Sequence, residues 1–449
     1  MPIRQTVKRT PTDKVRLQSP VEVTPVEPFN VTLDGPIDVT SNPNNPIYTS
    51  PTQAGADAFG RLRVSTPFAE LGLKQLYDGN PLFYDDAETS GSGTTSTYNT
   101  NQSSTTLGVA DATAGTRIKQ SKLRGVYQPG KSFLVLLTGV MGGSESGMTK
   151  RIGYYDDNNG LFFQHKDGVL GVVRRTYTSG SVVDNLVAQS SWNMDTLDGT
   201  GPSGITLDVT KTNIFVIDFE WLGVGRVRMG VNIDGNTYYC HEFLNANSLS
   251  VVYMQNPNLP IRYEISNDGT ASDDTLTAIC GALISEGGTD DVSKSTYISR
   301  GGTGQTLANQ DLYTPILSLR MKSGQLSTRI NPLNVDVMAT TTFNYEWRLY
   351  LNPTIAGTDN ASWTSITNSS MEYDVSRDNT NTISGGYLIA GGYGSSTNQS
   401  KIAIGGTISN FLTLGANIDG TRDEYVLAMA NIEGNGGTAY GGLTVGEYF

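Results

Sequence analysis

Cysteine and histidine are nearly absent from this sequence. Its 449 residues include Cys240 and Cys280 as the only cysteines and His165 and His241 as the only histidines. Two cysteines are too few for a disulfide scaffold, so we expect two small buried apolar residues, with a single bridge as the alternative. A structural zinc site needs clusters of cysteine and histidine. We therefore expect no zinc site.

Charged residues are also scarce, and their balance is acidic. They make up 16% of the chain, against roughly 25% in an average soluble protein, and the formal net charge is −12. Proteins that coat nucleic acid or lie on membranes use a net basic face, so the acidity argues against both. The longest apolar run, residues 133–141, is too short for a membrane span, and the N-terminus lacks the apolar stretch of a signal peptide. We expect a protein that is made and assembled in a cytoplasm.

Proline is missing after Pro353 and crowded at the start of the chain. Of the 18 prolines, 11 lie between Pro2 and Pro81, where they interrupt short β-favouring runs, as in VEVTPVEPFNVTLDGPIDVT. This pattern does not form a packed core and favours an extended segment laid over another surface. We predict an extended N-terminal arm and linker over residues 1–66. We expect it to bind neighbouring copies by strand addition or swapping, with folding back onto its own domain as the alternative.

The arm begins with a small basic cluster that only Asp13 opposes. Its members are Arg4, Lys8, Arg9, Lys14 and Arg16. One interpretation is an assembly site that docks on the acidic body of another copy or on an acidic partner; the other is a solvated polar terminus. Aromatic residues do not alternate with these cations, so we do not expect direct nucleic-acid binding.

The rest of the chain has the pattern of many short strands. Residues 151–177 read as a three-stranded meander with turns at DDNNG and KDG, and residues 214–243 repeat the pattern with turns at 223–225 and 234–236. The segment PFAELGLKQLY, residues 67–77, is the best helix candidate, because its leucines can share one helical face.

We therefore predict an all-β protein with two β-sandwich or jelly-roll-like domains behind the arm. The stretch SEGGTDDVSKS after Ile284 reads as the connection between them. The first domain is expected over residues 67–295 and the second over residues 296–449.

Few residues suggest chemistry. Acidic pairs at 85–86, 156–157, 273–274 and 290–291 offer carboxylates for calcium or for glycoside hydrolysis, but each falls where a turn is expected, and turn aspartates commonly bond their own backbone. Tyrosines, with Trp192 and Trp363, offer a sugar-stacking surface, although packing in the core is their more common role. Each histidine is expected to be structural or exposed. We predict no catalytic, cofactor-binding or metal-binding residue.

Four segments resemble a family of virion structural proteins of tailed bacteriophages. They are DAFGRLRVSTPF at residues 57–68 with KQLYDGNPLFYDD after it, LPIRYEI at 259–265 and CGALISEGG at 280–288, with a weaker echo in EWRLYLNPT at 346–354. The resemblance implies a non-enzymatic, β-rich component of a tail, fibre or capsid surface, located in the virion. It implies no catalytic residues and no cofactor.

From the resemblance and the composition together we expect a tail-associated, sheath-like or fibre-like protein that contributes to assembly and host attachment. Its partners would be other copies of itself, in a trimer or hexamer, other virion proteins, and a host surface glycan or receptor. A capsid decoration protein is the first alternative. The second is a polysaccharide depolymerase, which would use a carboxylate pair such as residues 156–157.

Overall fold

A computed structural model describes residues 55–288, 290, 293–395, 400–403 and 412–449. The described chain is all-β, as predicted, and every pair of neighbouring strands is antiparallel. The unit from Pro51 to Phe449 is compact. Residues 1–54 of the predicted arm, including all five basic candidates, lie outside the described residues.

The first sandwich is formed by the strands that precede Gly287. They are β1 (Phe68–Lys74), β2 (Tyr84–Gly91), β3 (Thr94–Asn99), β4 (Ser104–Val109), β5 (Gly115–Ser121), β6 (Ser132–Val140), β7 (Met148–Tyr155), β8 (Gly160–Lys166), β9 (Val169–Thr176), β10 (Val183–Ala188), β11 (Asn213–Phe219), β12 (Val227–Ile233), β13 (Asn236–Phe243), β14 (Ile261–Asn267) and β15 (Asp274–Glu286). One sheet has the order β13-β12-β11-β6-β15-β4-β3, with β1 also paired to β15. The other has the order β10-β9-β8-β7-β14-β5-β2.

Both predicted meanders are confirmed. Strands β7, β8 and β9 pair in sequence, as do β11, β12 and β13. The two-residue turns Asp167-Gly168 and Asp234-Gly235 have positive φ at both positions, 50° and 77° in the first and 50° and 81° in the second. This is the backbone of a type I′ hairpin turn, which Asp-Gly favours.

The predicted helix over residues 67–77 is wrong, because most of this segment forms β1. Leu71 and Leu73 are buried while Gly72 between them is exposed, which is the two-residue period of a strand. The bulge between Ala69 and Leu71 disturbs that alternation at its start. Pairing with the long strand β15 therefore outweighs a weak helical pattern that already contained a glycine.

The core of the first sandwich takes side chains from both sheets. Phe133 on β6 lies at its centre and contacts the rings of Tyr127, Tyr154 and Phe219, with ring centroids 5.5–6.5 Å apart in edge-to-face geometry. On β6 the residues buried most deeply alternate, since Phe133, Val135 and Leu137 are fully covered.

The second sandwich is formed by the strands after residue 293. They are β16 (Lys294–Ser299), β17 (Gln305–Thr306), β18 (Thr314–Met321), β19 (Arg329–Thr340), β20 (Tyr345–Leu351), β21 (Thr354–Ala356), β22 (Thr364–Ser365), β23 (Met371–Asp374), β24 (Thr382–Ser384), β25 (Tyr387–Gly394), β26 (Ser400–Ala403), β27 (Glu424–Asn431) and β28 (Thr438–Tyr448). One sheet runs β16-β28-β19-β26, with β17 also on β28, and the other runs β22-β23-β18-β27-β20-β25. Strands β21 and β24 form a separate pair.

The two sandwiches have separate hydrophobic cores. Polar contacts join them: Arg329 forms an ion pair of 2.5 Å with Glu70, and both side chains are buried. The side-chain amide of Asn258 donates to the carbonyl of Ser327 at 2.9 Å. Residues 55–288, 290, 293–395, 400–403 and 412–449 include no helix long and apolar enough to cross a membrane.

Candidate functional site

The segment DAFGRLRVS, which carries the clearest family resemblance, folds into a closed turn. The carboxylate of Asp57 accepts hydrogen bonds from the backbone N–H and the Nε of Arg61, both at 2.8 Å. The backbone closes the same turn, since Asp57 N–H donates to the Arg61 carbonyl at 2.8 Å. Gly60 lies inside the turn with φ of 82°, a conformation that glycine adopts without strain.

A buried ion network attaches this turn to the outer face of the larger sheet. Asp218 on β11 is fully buried, and its Oδ2 atom lies 2.5 Å from guanidinium nitrogens of both Arg63 and Arg228. The hydroxyl of Tyr239 donates to the same oxygen at 2.6 Å. Arg63 also pairs with Glu286 at 2.7 Å. We call Asp57, Arg61, Arg63, Asp218, Arg228, Tyr239 and Glu286 the arginine clamp.

Backbone carbonyls of the turn complete the attachment. Arg228 donates to the carbonyl of Ala56 at 2.7 Å, and Arg226 donates to the carbonyl of Ala58 at 3.1 Å. Within the segment, the backbone N–H of Arg63 donates to the Gly55 carbonyl at 3.1 Å. The point at which residues 1–54 join the described chain is therefore fixed to the first sandwich.

Local strand geometry explains why these side chains meet. Asp218 lies directly opposite Arg228 in the β11–β12 ladder, so the two side chains share the outer face. The register of β12 and β13 shifts between Met229 and Gly230. Such a bulge changes which residues face outward, and it places Tyr239 on the same face with Arg228 over its ring at 4.3 Å.

Burial shifts the pKa of three clamp residues, Tyr239, Glu286 and Arg63. Burial, and then the charge of Asp218, raises the pKa of the Tyr239 hydroxyl, so it stays a hydrogen-bond donor. Burial raises the pKa of Glu286, while Arg63 opposes that shift. Burial alone would lower the pKa of Arg63, but Asp218 and its other neighbours raise it overall. Tyr239 and Arg63 are thus kept in the protonated forms that donate to Asp218.

Each of the four acidic pairs has a member with a structural contact, and Asp291 lies outside the described residues. Asp156 accepts from the backbone N–H groups of Asn158 and Asn159 at 2.9 Å, which is the turn role we predicted. Residues 85 and 86 differ from expectation because they lie in β2, where Asp85 accepts from Ile418 N–H at 2.7 Å. Asp274 begins β15 and pairs with buried Lys150 at 2.6 Å. In the described part of the chain, no group of three or more His, Cys, Asp or Glu is placed to hold a metal ion.

The cysteines are both free, which removes the alternative of a bridge. Cys240 is buried as expected, whereas Cys280 is only partly buried. The Nδ1 atom of His165 lies 2.9 Å from the Gly142 carbonyl. His241 accepts from the backbone N–H of Asn193 at 3.3 Å, and burial lowers its pKa to about 4.

The tryptophans proposed for sugar stacking lie in different sandwiches. Trp192 is buried and donates to the Val187 carbonyl at 3.2 Å. Trp363 is half-buried beneath Arg320, whose guanidinium lies 3.7 Å from the ring centroid. The structure does not bring these two indoles together into one surface.

Sequence reasoning missed the clamp, because residues 55–66 were assigned to the arm. One signal was available: Asp218 and Arg228 are lone charges within the apolar strands NIFVIDF and VRMGVNI. A charge on an otherwise apolar strand needs a partner.

No protein-family model and no curated protein matches the chain. Among solved structures, it is similar to a legume lectin-like domain from Entamoeba histolytica, with 11% identity and a TM-score of 0.28 over 48% of this chain and 96% of that one. The Emp47p carbohydrate recognition domain matches with 9% identity and a TM-score of 0.30, over 49% and 97%. The botulinum neurotoxin serotype C1 binding domain matches with 10% identity and a TM-score of 0.28, over 81% and 94%. Because all three TM-scores are below 0.5, no property of these proteins is transferred to this chain.

Proposed function

We propose that this chain is a non-enzymatic structural component of a tailed-phage virion, tail-associated and sheath-like or fibre-like, that assembles with copies of itself and contributes to host attachment. The location would be the virion, with assembly in the host cytoplasm. Other virion proteins and a host surface glycan or receptor would be its further partners.

The arginine clamp is the observation that carries this proposal. The charged residues of the family-like segment are Asp57, Arg61 and Arg63. Asp57 and Arg61 bond to each other and close the turn, and Arg63 pairs with Asp218 and Glu286 of the sandwich. Residues used in this way hold the chain in place. Such an attachment suits an assembly protein, because force on the preceding arm would be transferred to a buried network in the body.

The polar contacts between the two sandwiches, which we call the joint, also support a structural role. Glu70 and Arg329 pair at 2.5 Å, and Asn256 and Asn258 each donate to Ser327. A buried pair is costly to separate once formed, because each charge would be left without its partner. The joint therefore favours one rigid body, which a component of a repeating assembly needs.

The test is to locate the protein on particles. Antibodies raised against the full chain would be used in immunoblots of purified virions and in gold labelling of intact virions, beside the sedimentation mass of the free protein. We expect a signal in purified virions, labelling on the tail and a closed trimer or hexamer in solution. Labelling on the head with a monomer in solution would favour capsid decoration. A protein absent from purified virions would contradict the proposal.

A further inference from the structure

An open groove of about 390 Å³ lies between two strand edges of the second sandwich. Among the described residues, β16 pairs only with β28 and β22 pairs only with β23, so each of these strands ends its sheet there. We call this the β16–β22 groove. It is lined by Thr296, Tyr297, Ile298, Ser299, Thr364, Ser365, Ile366 and Tyr373.

The edge of β16 has the form of a strand that accepts another strand. Its register with β28 is regular over all six residues, from Lys294 opposite Glu447 to Ser299 opposite Gly442. No strand in the described ranges pairs with its other side. Natural edges are usually protected by charges, proline or bulges. β16 has one charge, Lys294 at its first residue, and neither proline nor a bulge.

The inner side of the groove combines side chains of the second core with one unsatisfied polar atom. Ile298 is buried in the second core, and Ile366 and Tyr373 pack against that core. The Oγ1 atom of Thr296 is buried and has no hydrogen-bond partner among the residues that the structure describes. A buried hydroxyl without a partner is unfavourable, and a backbone group of an inserted strand would satisfy it.

We propose that the β16–β22 groove binds an extended strand from the N-terminal arm of a second copy of this chain. The inference rests on the proposed function, since it names the surface through which copies assemble. The strand would pair with the free edge of β16 and cover the groove floor formed by Ile298, Ile366 and Tyr373. This mode of recognition takes affinity from main-chain hydrogen bonds and specificity from alternate side chains.

The arm sequence contains a segment that fits this edge. Residues 29–33, FNVTL, lie between Pro28 and Pro36 and alternate apolar with polar residues. In a strand, Phe29 and Val31 would face the groove floor while Thr32 faced outward. Five residues span about 17 Å of strand and six about 20 Å, so the segment matches the length of β16.

The test uses the full chain with changes on each side of the contact. In the arm, V31P and T32P together remove two backbone donors, so one faces β16 in either register. In the groove, Ser365 is exposed, and S365R fills the opening without disturbing the core. We expect each set to raise the midpoint concentration of self-association at least ten-fold in sedimentation experiments. The combination should add little, because both sets remove the same contact.

Two matched controls separate this edge from other causes. Q18P places a proline in the arm outside residues 29–33, and N185R adds an arginine to the exposed edge strand β10. Neither should alter association. Thermal melting of every variant verifies that the sandwiches remain folded. Hydrogen exchange should show protected β16 amides in the assembled wild type and faster exchange in S365R.

Each contrary result is distinct. If wild-type chains associate and neither the arm nor the groove variants change the midpoint, the groove assignment is wrong while the proposed function stands. Loss of association in N185R would overturn it in favour of the β10 edge. Protection of β16 that is independent of concentration and lost in the arm variants would show that the chain's own arm is the occupant. Absence from purified virions would contradict the proposed function itself.

Discussion

The outer edges of β13 and β16 end their sheets in opposite ways. At β13, the carbonyl of Cys240 accepts from the backbone N–H groups of Met194 and Asp195, both at 3.1 Å. Asn193 forms two further bonds with the backbone of Glu242, at 2.9 and 3.0 Å. A loop of the same chain thus covers this edge, whereas β16 beside its groove has no such cover in the described ranges.

The β13 edge is closed when the chain folds, whereas the β16 edge is left for association with another chain. An exposed row of backbone donors and acceptors is a template for another strand, so a protein covers an edge that it does not use. The clamp extends the same principle on the outer face beside β13, since Arg228 and Tyr239 there are bound to Asp218. At β13 the first sandwich therefore covers a sheet edge with a loop of its own chain, whereas the second sandwich leaves the β16 edge uncovered in the described ranges.

The largest loss of stability is expected from breaking the arginine clamp, which lies on the outer face of the first sandwich. D218A leaves the guanidinium groups of Arg63 and Arg228 without their shared carboxylate. Removal of one partner from a buried pair costs about 3–5 kcal/mol, so the free energy of unfolding should fall by that amount. Chemical denaturation of the full chain, followed by tryptophan fluorescence and circular dichroism, measures it.

Two variants control this prediction. Asp290 pairs with Lys131 at 2.9 Å but is 73% exposed, so D290A should change the free energy of unfolding by less than about 1 kcal/mol. The double change D218L with R228M removes the central charges together and should be more stable than D218A alone. A cost below about 1 kcal/mol for D218A would contradict the structural role of the clamp.

The parts of the fold that depend on residues close together in the sequence were predictable from it. The Asp-Gly turns at 167–168 and 234–235 have a local backbone requirement, and the strands beside them alternate visibly. The clamp was not predictable in the same way. Arg63 and Asp218 are 155 residues apart, and only the order of the strands decides that they meet.

The groove shows the same limit at the level of topology. Nothing in KSTYIS distinguishes an edge strand from a central one, because edge position is set by which strands pair with β28. The error over residues 67–77 has a related cause. β1 is held by its partner β15, and a weak local pattern cannot reveal a partner about 210 residues away.

A smaller loss of stability should come from lowering the pH, because His241 lies on β13 at the covered edge. Burial lowers the pKa of His241 to about 4, below its ordinary value of 6.5, so the unfolded chain binds the proton more readily. Stability should therefore be complete above pH 6.5 and decline as the pH falls toward 4, by at most about 1.4 kcal/mol per pH unit. The difference between wild type and H241Q across pH 4–7 measures this term and cancels the contribution of His165. Equal slopes in both proteins would contradict it.

The smallest effect is expected from uncovering the β13 edge directly. N193A removes both side-chain bonds to the backbone of Glu242, and the loss of two partly exposed hydrogen bonds should cost about 1–2 kcal/mol. The more telling measurement is local: the Glu242 amide should exchange hydrogen faster in N193A, while the β16 amides of unassembled protein stay unchanged. N213A, which removes bonds to the carbonyls of Asp208 and Lys211 away from this edge, is the matched control. If β13 becomes an open edge, N193A should also associate more strongly than wild type, since the same backbone groups that the loop covered would be free to pair with another strand.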